Sequence, residues 1–177
     1  MKYIFDFDDV LFNTTQHFKE QMCLILEKNG ISRILIEEYT KKERWNLFTL
    51  KKMFVHFSVK EDVYEEIMKE SKNSINQELL KLIKKLGKLN CYLVSYGDEE
   101  FQLEKIKRSE VGTLFSEIII VQGSKKEAIE KICTKHKDEE VIFIDDKAKH
   151  FEDLDFVKYP NLKTILYTEQ NIEPYLQ

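Results

Sequence analysis

The sequence predicts an α/β protein: a doubly wound parallel sheet of five strands with a long all-helical insertion. Three observations lead there. Short apolar runs alternate with helical stretches through the second half of the chain. Each run is apolar at consecutive positions, as expected of strands buried on both faces of a parallel sheet. About seventy residues of helical periodicity follow the first strand, where a sheet crossover needs only a dozen or so.

Strand one is Tyr3-Ile4-Phe5, which runs directly into Asp6-Phe7-Asp8-Asp9. From Thr14 helical spacing takes over. Thr14 or Thr15 can cap a helix that carries Phe18, Met22, Ile25 and Leu26 on one face and stops at Asn29-Gly30. The stretch from Ile34 to Phe57 is rich in aromatic residues, among them Tyr39, Trp45, Phe48, Phe54 and Phe57, and reads mainly as the core of the insertion rather than as a substrate stack. Glu61-Asp62 opens a helix through Val63, Ile67 and Met68. Asn76 opens another, with Leu79, Leu82, Ile83 and Leu86 on one face and Gly87 at its end. The expected division is a helical insertion over residues 14–86 and a sheet domain from residues 1–13 and 87–177.

In the sheet domain Cys91-Tyr92-Leu93-Val94 is the second strand, ending in Ser95-Tyr96-Gly97-Asp98, and a helix runs from Glu99 to Arg108. Ile118 to Val121 is a third buried strand, followed by a helix from Lys125 to about His136. Val141 to Ile144 is a fourth, ending in Asp145-Asp146, and a short helix around Ala148 to Leu154 leads to a last strand over Thr164 to Tyr167. Strands separated by helices imply a parallel sheet wound on both faces.

Bulk properties narrow the function classes. The chain has 177 residues, 42% of them hydrophobic, with 12 Phe and 8 Tyr, so a sizeable core is possible. Only 2 Pro and 5 Gly speak against a disordered chain. A net charge of −4 makes no electrostatic case for nucleic acid or an acidic membrane as a partner. Cys23, Cys91 and Cys133 have no metal-ligand spacing and read as buried thiols in a reducing compartment. No signal pattern opens the chain and no apolar run approaches the ~20 residues of a bilayer span. The expectation is a soluble cytoplasmic protein, its oligomeric state open.

The chemistry sits at strand ends. Parallel strands place their C-terminal ends on one edge, where open α/β sheets bind ligands. Asp6 and Asp8, Ser95, the lysine pair Lys125-Lys126, and Asp145-Asp146 all fall there. Like charges ~4 Å apart repel by ~4 kcal/mol at an effective dielectric near 20, so clustered carboxylates call for a cation. Oxygen ligands favour a hard ion, Mg2+ first. These residue types suit phosphoryl transfer. A carboxylate can attack phosphorus, Mg2+ and lysine can hold the phosphoryl oxygens, and a second carboxyl can move the proton. Ser95 and Tyr96 can bind the same oxygens. Asp9 and Asp98 read as turn formers or helix caps. His17, His56, His136 and His150 show no ligand spacing, and no role is assigned to them.

This ordered set resembles the haloacid dehalogenase (HAD) superfamily. Its first motif, an apolar strand and then Asp-x-Asp-x-Thr/Val, is matched by Asp6-Phe7-Asp8-Asp9-Val10; the second, a strand ending in Ser or Thr, by Ser95; the third, a lysine opening a helix, by Lys125 or Lys126; the fourth, a strand ending in an acidic pair, by Asp145-Asp146. The resemblance implies a Rossmann-like core and a helical type 1 cap. It implies Asp6 as nucleophile and metal ligand, and Asp8 as general acid/base with its backbone carbonyl on the metal. Ser95 would bind the phosphoryl group, and Asp145 and Asp146 would bind Mg2+ directly or through water. Ala128, Ile129 and Ile132 fall at +3, +4 and +7 from Lys125, which is the family's usual phase and favours Lys125 over Lys126 as the catalytic lysine. Members that cleave carbon–halogen bonds lack the second aspartate, so Asp8 favours phosphate chemistry.

The expected activity is therefore Mg2+-dependent hydrolysis of a small phosphorylated metabolite through an aspartyl-phosphate. The alternatives are a phosphomutase of the same superfamily and a non-catalytic phospho-receiver or binding module. Receiver domains lack a long helical insertion after strand one.

Overall fold

The structure, a computed structural model, describes residues 1–43, 48–168, 172 and 174. Arg44 and Trp45 of the aromatic stretch lie outside the described residues. Five strands form one all-parallel sheet in the order β3-β2-β1-β4-β5: β1 Lys2–Phe5, β2 Cys91–Tyr96, β3 Glu117–Val121, β4 Val141–Asp145 and β5 Leu162–Leu166. The α/β architecture is the one expected.

Along each central strand successive side chains point to opposite faces and enter two different core clusters. Phe5, Cys91, Leu93, Ile142 and Ile144 enter one core cluster, while Ile4, Tyr92, Val94, Val141 and Phe143 enter another. The first cluster joins these strand residues to buried apolar residues of helices α1 Lys19–Lys28, α2 Arg33–Lys42, α3 Leu50–Phe57, α4 Glu61–Lys69, α5 Gln77–Leu86 and α6 Glu99–Arg108 in one continuous core. The second face is covered by α7 Lys126–Lys135 through Ala128, Ile129, Ile132 and Cys133. Covering both faces makes the apolar runs continuous. β3 departs from the expected burial. All five of its residues are only half-buried, because it is an edge strand with one neighbour.

The helix expected from Thr14 is remodelled at its start. Thr14–Phe18 is a π-helical turn that leads into α1, and no side chain caps it. Both threonines are used elsewhere: Thr14 Oγ1 bonds to Asp8, and Thr15 donates from its backbone N to Asp9 Oδ1 at 2.8 Å. Asn76 does cap α5, accepting from Glu78 N and Leu79 N at 3.1 and 3.2 Å. Helix α5 leads into β2 through a short turn over Lys88–Asn90, and its Leu79, Leu82 and Ile83 are buried. Among the described residues no helix is long and apolar enough to cross a membrane.

Candidate active site

The loop after β1 is built tightly. Asp9 sits at φ +59°, a left-handed conformation that Asp tolerates better than most residues. Asp9 N donates to Phe12 O at 2.7 Å and Phe12 N to Phe7 O at 2.8 Å. The segment before α5 pins this loop from outside, with Asn13 N on Ser74 O and Asn76 N on Leu11 O.

Register brings the strand ends together. Phe5 pairs with Leu93 on one side and Ile144 on the other, so Asp6, Ser95 and Asp145 emerge at the same edge. Asp6 Oδ1 accepts from Phe7 N at 2.7 Å and is met by Lys125 Nζ at 2.7 Å. Lys125 precedes α7, and its side chain, only 1% exposed, also reaches Asp145 Oδ2 at 2.7 Å. Asp145 Oδ1 accepts from Lys147 N at 2.8 Å, and His150 Nδ1 lies 2.8 Å from Oδ2.

Lys126 points away. Its Nζ pairs with Glu130 Oε1 at 2.7 Å and touches Asp153 O. The helical phase that favours Lys125 has this physical basis: burying Ala128, Ile129 and Ile132 turns Lys125, not Lys126, toward the sheet edge.

Asp8 stands in a second group. Its Oδ1 is bonded by Lys105 Nζ at 2.5 Å and by Thr14 Oγ1, and its Oδ2 accepts from Gln102 Nε2 at 2.6 Å. The same Nε2 reaches Ser95 Oγ at 3.1 Å and Tyr96 O at 2.9 Å. Gln102 is pressed against Gly97, where a Cβ would stand 2.9 Å from Nε2. Asp98 caps α6 by accepting from Phe101 N at 3.0 Å, the cap role its position suggests. Asp146 faces Lys147, with Nζ 3.0 Å from Oδ2.

Protonation follows from these neighbours. Burial pushes the Asp6 carboxyl up to about 7; Lys125 opposes the rise, and Asp145 and Asp8 add to it. Burial would also raise Asp145, but His150 and Lys125 bring it down to about 2. Burial acts upward on Asp8 too, and is outweighed by Lys105, Gln102 and Thr14, which hold it below the usual carboxylate range. Asp146 is raised by burial against the pull of Lys147.

The sequence reading missed Lys105, Gln102, Lys147 and His150. The charge argument changes accordingly. Lys105, Lys125 and Lys147 set three ammonium groups beside four carboxylates, leaving about one excess negative charge instead of a bare acidic cluster. Gln102 and Lys105 share the buried side of α6 with Ile106, a three-residue spacing of polar groups on the inner face. That spacing was the available signal.

The residues still fit a hard cation. Asp6, Asp145 and His150 offer ligand atoms that all lie within 4.8 Å of one another. Burial is the main reason Asp6 holds its proton, and the neighbouring carboxylates Asp145 and Asp8 add to it. Asp8 and Asp146 carboxylates lie outside that group among the described residues.

A parallel sheet with carboxylates, a buried lysine and a serine at its C-terminal edge is the architecture of an α/β protein with a ligand site at the strand ends. Solved structures narrow the fold. A hydrolase from Streptococcus pneumoniae TIGR4 is similar at a TM-score of 0.61 and 16% identity, over 99% of this chain and 97% of that one. A provisionally named haloacid dehalogenase-like hydrolase from Burkholderia xenovorans LB400 is similar at 0.65 and 16%, over 97% and 89%. A provisionally named HAD-hydrolase from Bacillus subtilis, solved bound to magnesium, is similar at 0.54 and 15%, over 92% and 84%. No family model matches the chain, and no curated protein matches it. The chain has the fold of the haloacid dehalogenase-like hydrolases.

Proposed function

We propose that this protein is a Mg2+-dependent phosphatase that removes phosphate from a small phosphorylated substrate through an aspartyl-phosphate. The observation that carries the reading is the convergence of Asp6, Lys125 and Asp145 from three separate elements, with Lys125 Nζ 2.7 Å from each carboxylate.

The steps follow from the side chains. Asp6 Oδ2 attacks phosphorus and the bond from phosphorus to the leaving oxygen breaks. Asp8 supplies the proton that the leaving oxygen takes up. Water then attacks the phosphoryl group, Asp8 takes its proton, and Asp6 is released with inorganic phosphate. Lys105, Gln102 and Thr14 favour the carboxylate form of Asp8, which suits the second step and works against the first; the proton that Asp8 gives the leaving oxygen is the one it took from water in the turnover before. Lys125 holds Asp6 in place and offers positive charge to the phosphoryl oxygens. Ser95 Oγ, already within a hydrogen-bonded group, is assigned to the same oxygens. Asp6, the Asp8 backbone carbonyl, Asp145 and Asp146 are the proposed Mg2+ ligands, directly or through water. Bound there, the ion would neutralise charge that builds on the transferring group.

Residues 14–86 are proposed as a cap on the core formed by 1–13 and 87–177. Support comes from a cleft beside Asp8 whose lining includes Phe18, Met22 and Phe48 from the inserted segment and Phe101 from the core. Closing such a cleft would exclude water during the reaction.

The test is phosphate release from a panel of phosphate monoesters with Mg2+ present. Release by the wild type, and none by Asp6→Asn, is expected. Full activity in Asp6→Asn would end the nucleophile assignment. Isomerisation of a sugar phosphate without phosphate release would point to a mutase.

A further inference from the structure

We propose that Gln102 is a positioning residue for proton transfer: its amide nitrogen ties Asp8 to the end of β2 and leaves one lone pair of Asp8 Oδ2 as the place where the proton is carried. The proposal rests on the phosphatase reading above and deepens it. Gln102 lies on the buried side of α6 and is only 3% exposed. Its Nε2 is 2.6 Å from Asp8 Oδ2, 2.9 Å from Tyr96 O and 3.1 Å from Ser95 Oγ. One nitrogen thus joins the loop after β1 to the end of β2.

The contacts fix which way the amide faces. Turned over, it would set Oε1 against the Asp8 carboxylate and the Tyr96 carbonyl, and neither group has a hydrogen to donate. Gly97 leaves room for the approach, since a Cβ there would stand 2.9 Å from Nε2. The orientation has a drawback at the other end of the amide. Gln102 Oε1 is buried with no partner among the described residues, and a buried acceptor without a donor is destabilising. An apolar side chain of similar length would avoid that loss. The contacts of Nε2 are what this side chain gains in its place.

The two oxygens of Asp8 are held unequally. Oδ1 meets Lys105 Nζ and Thr14 Oγ1, which occupy its two lone pairs. Oδ2 meets Gln102 alone, so its second lone pair is open. That lone pair carries the proton that Asp8 gives the leaving oxygen as the bond from phosphorus to that oxygen breaks. In the second step it takes a proton from water while the water oxygen bonds to phosphorus. The bond from phosphorus to Asp6 then breaks, and its electron pair stays on the Asp6 carboxylate. With Gln102 removed, no side chain described here holds Oδ2, and the carboxyl can turn about its Oδ1 contacts. A displacement of about 1 Å is enough to slow such a transfer by about a hundredfold.

Rapid mixing of the full chain with p-nitrophenyl phosphate and Mg2+ separates the two steps. First release of nitrophenolate reports transfer to Asp6, and steady turnover falls behind it when hydrolysis of the phosphoenzyme is slow. Nitrophenolate leaves without a proton, so Gln102→Met should slow its first release by less than about threefold. Steady turnover should fall by about ten- to a hundredfold, with a burst of nitrophenolate and phosphate retained on acid-quenched protein. Phenyl phosphate, whose leaving oxygen needs a proton, should lose its first step by a similar factor. Gln102→Asn, with the amide withdrawn by one methylene, is the second variant should Gln102→Met not fold, and the same split is expected. A folded variant that slows both steps of p-nitrophenyl phosphate alike, changes KM alone or changes neither step overturns the assignment, and the phosphatase reading stands. Phosphate release from the wider panel of monoesters is read alongside. None by the wild type ends the phosphatase reading, and the Gln102 assignment with it.

Discussion

Lys105 Nζ lies 2.5 Å from Asp8 Oδ1 across 97 residues of chain, with its own side chain only 4% exposed. The rings of Phe7, Phe12 and Phe101 surround the ammonium at 5.4, 5.1 and 5.2 Å. Removing one partner of a buried pair strands the other charge and costs about 3–5 kcal/mol. Lys105→Met alone is therefore expected to lower stability by about that much. Asp8→Asn with Lys105→Met together should cost less than the sum of the singles. Urea denaturation of the four proteins measures the coupling, and strictly additive losses would count against a buried pair.

The two neighbouring lysines should behave differently. Lys125→Met removes the cation between Asp6 and Asp145, and a fall in kcat of about a hundredfold or more is expected with p-nitrophenyl phosphate. Lys126→Ala removes a pairing with Glu130 at the surface and should leave kcat within about threefold. Equal losses in both variants would contradict this geometry.

Asp6 ties activity to stability. Its carboxyl titrates near 7 in the folded chain against 3.8 ordinarily. Between those values the folded protein keeps a proton that the unfolded chain has lost, so stability falls as pH rises through the window. In chelator at pH 8 the full penalty is present. Asp6→Asn should then raise the melting temperature, by about 2–4 °C for each kcal/mol recovered, and the gain should fade toward pH 4. A lower midpoint at pH 8 would refute the sign.

Metal removal is the complementary measurement. EDTA should abolish phosphate release by the wild type, and added Mg2+ should restore it. Asp145→Asn should demand more Mg2+ for half-maximal rate. Activity indifferent to EDTA would remove the metal from the mechanism.

The three thiols are expected to be inert in the folded protein. All are buried, and burial pushes Cys91 up to about 12 and Cys133 to about 11, with Cys23 also raised. Raised values leave little thiolate at pH 8. Iodoacetamide should label none of them without denaturant and all three with it. Rapid labelling of the native protein would show that one thiol is exposed.

The fold was legible because its signals are local. Consecutive apolar residues at Tyr3-Ile4-Phe5 and Val141 to Ile144 mark central strands whichever sheet they join. The helical phase of Ala128, Ile129 and Ile132 turned Lys125 inward before any partner was known. Phe48 was grouped with an aromatic stretch read mainly as core. It does belong to the core cluster, yet it also lines the cleft beside Asp8. Phe54 packs edge to face on Tyr64, as the core reading expects. A sequence pattern distinguishes buried from exposed faces but not core from cleft wall.

What the sequence determined by itself was the sheet class and the edge at which Asp6, Ser95, Lys125 and Asp145 would meet. Strand direction and helical phase suffice for that, and both are written in residue spacing. Only the tertiary structure decided which charges are paired. Lys105 belongs to none of the sequence motifs, and His150 shows no ligand spacing. They become partners of Asp8 and Asp145 because packing brings α6 and the turn after β4 against the same edge. Electrostatic pairing depends on distances across the fold, and no local pattern encodes them. The two carboxylates after β1 therefore part company: Asp6 joins Lys125 and Asp145, while Asp8 is held by Lys105 and Gln102.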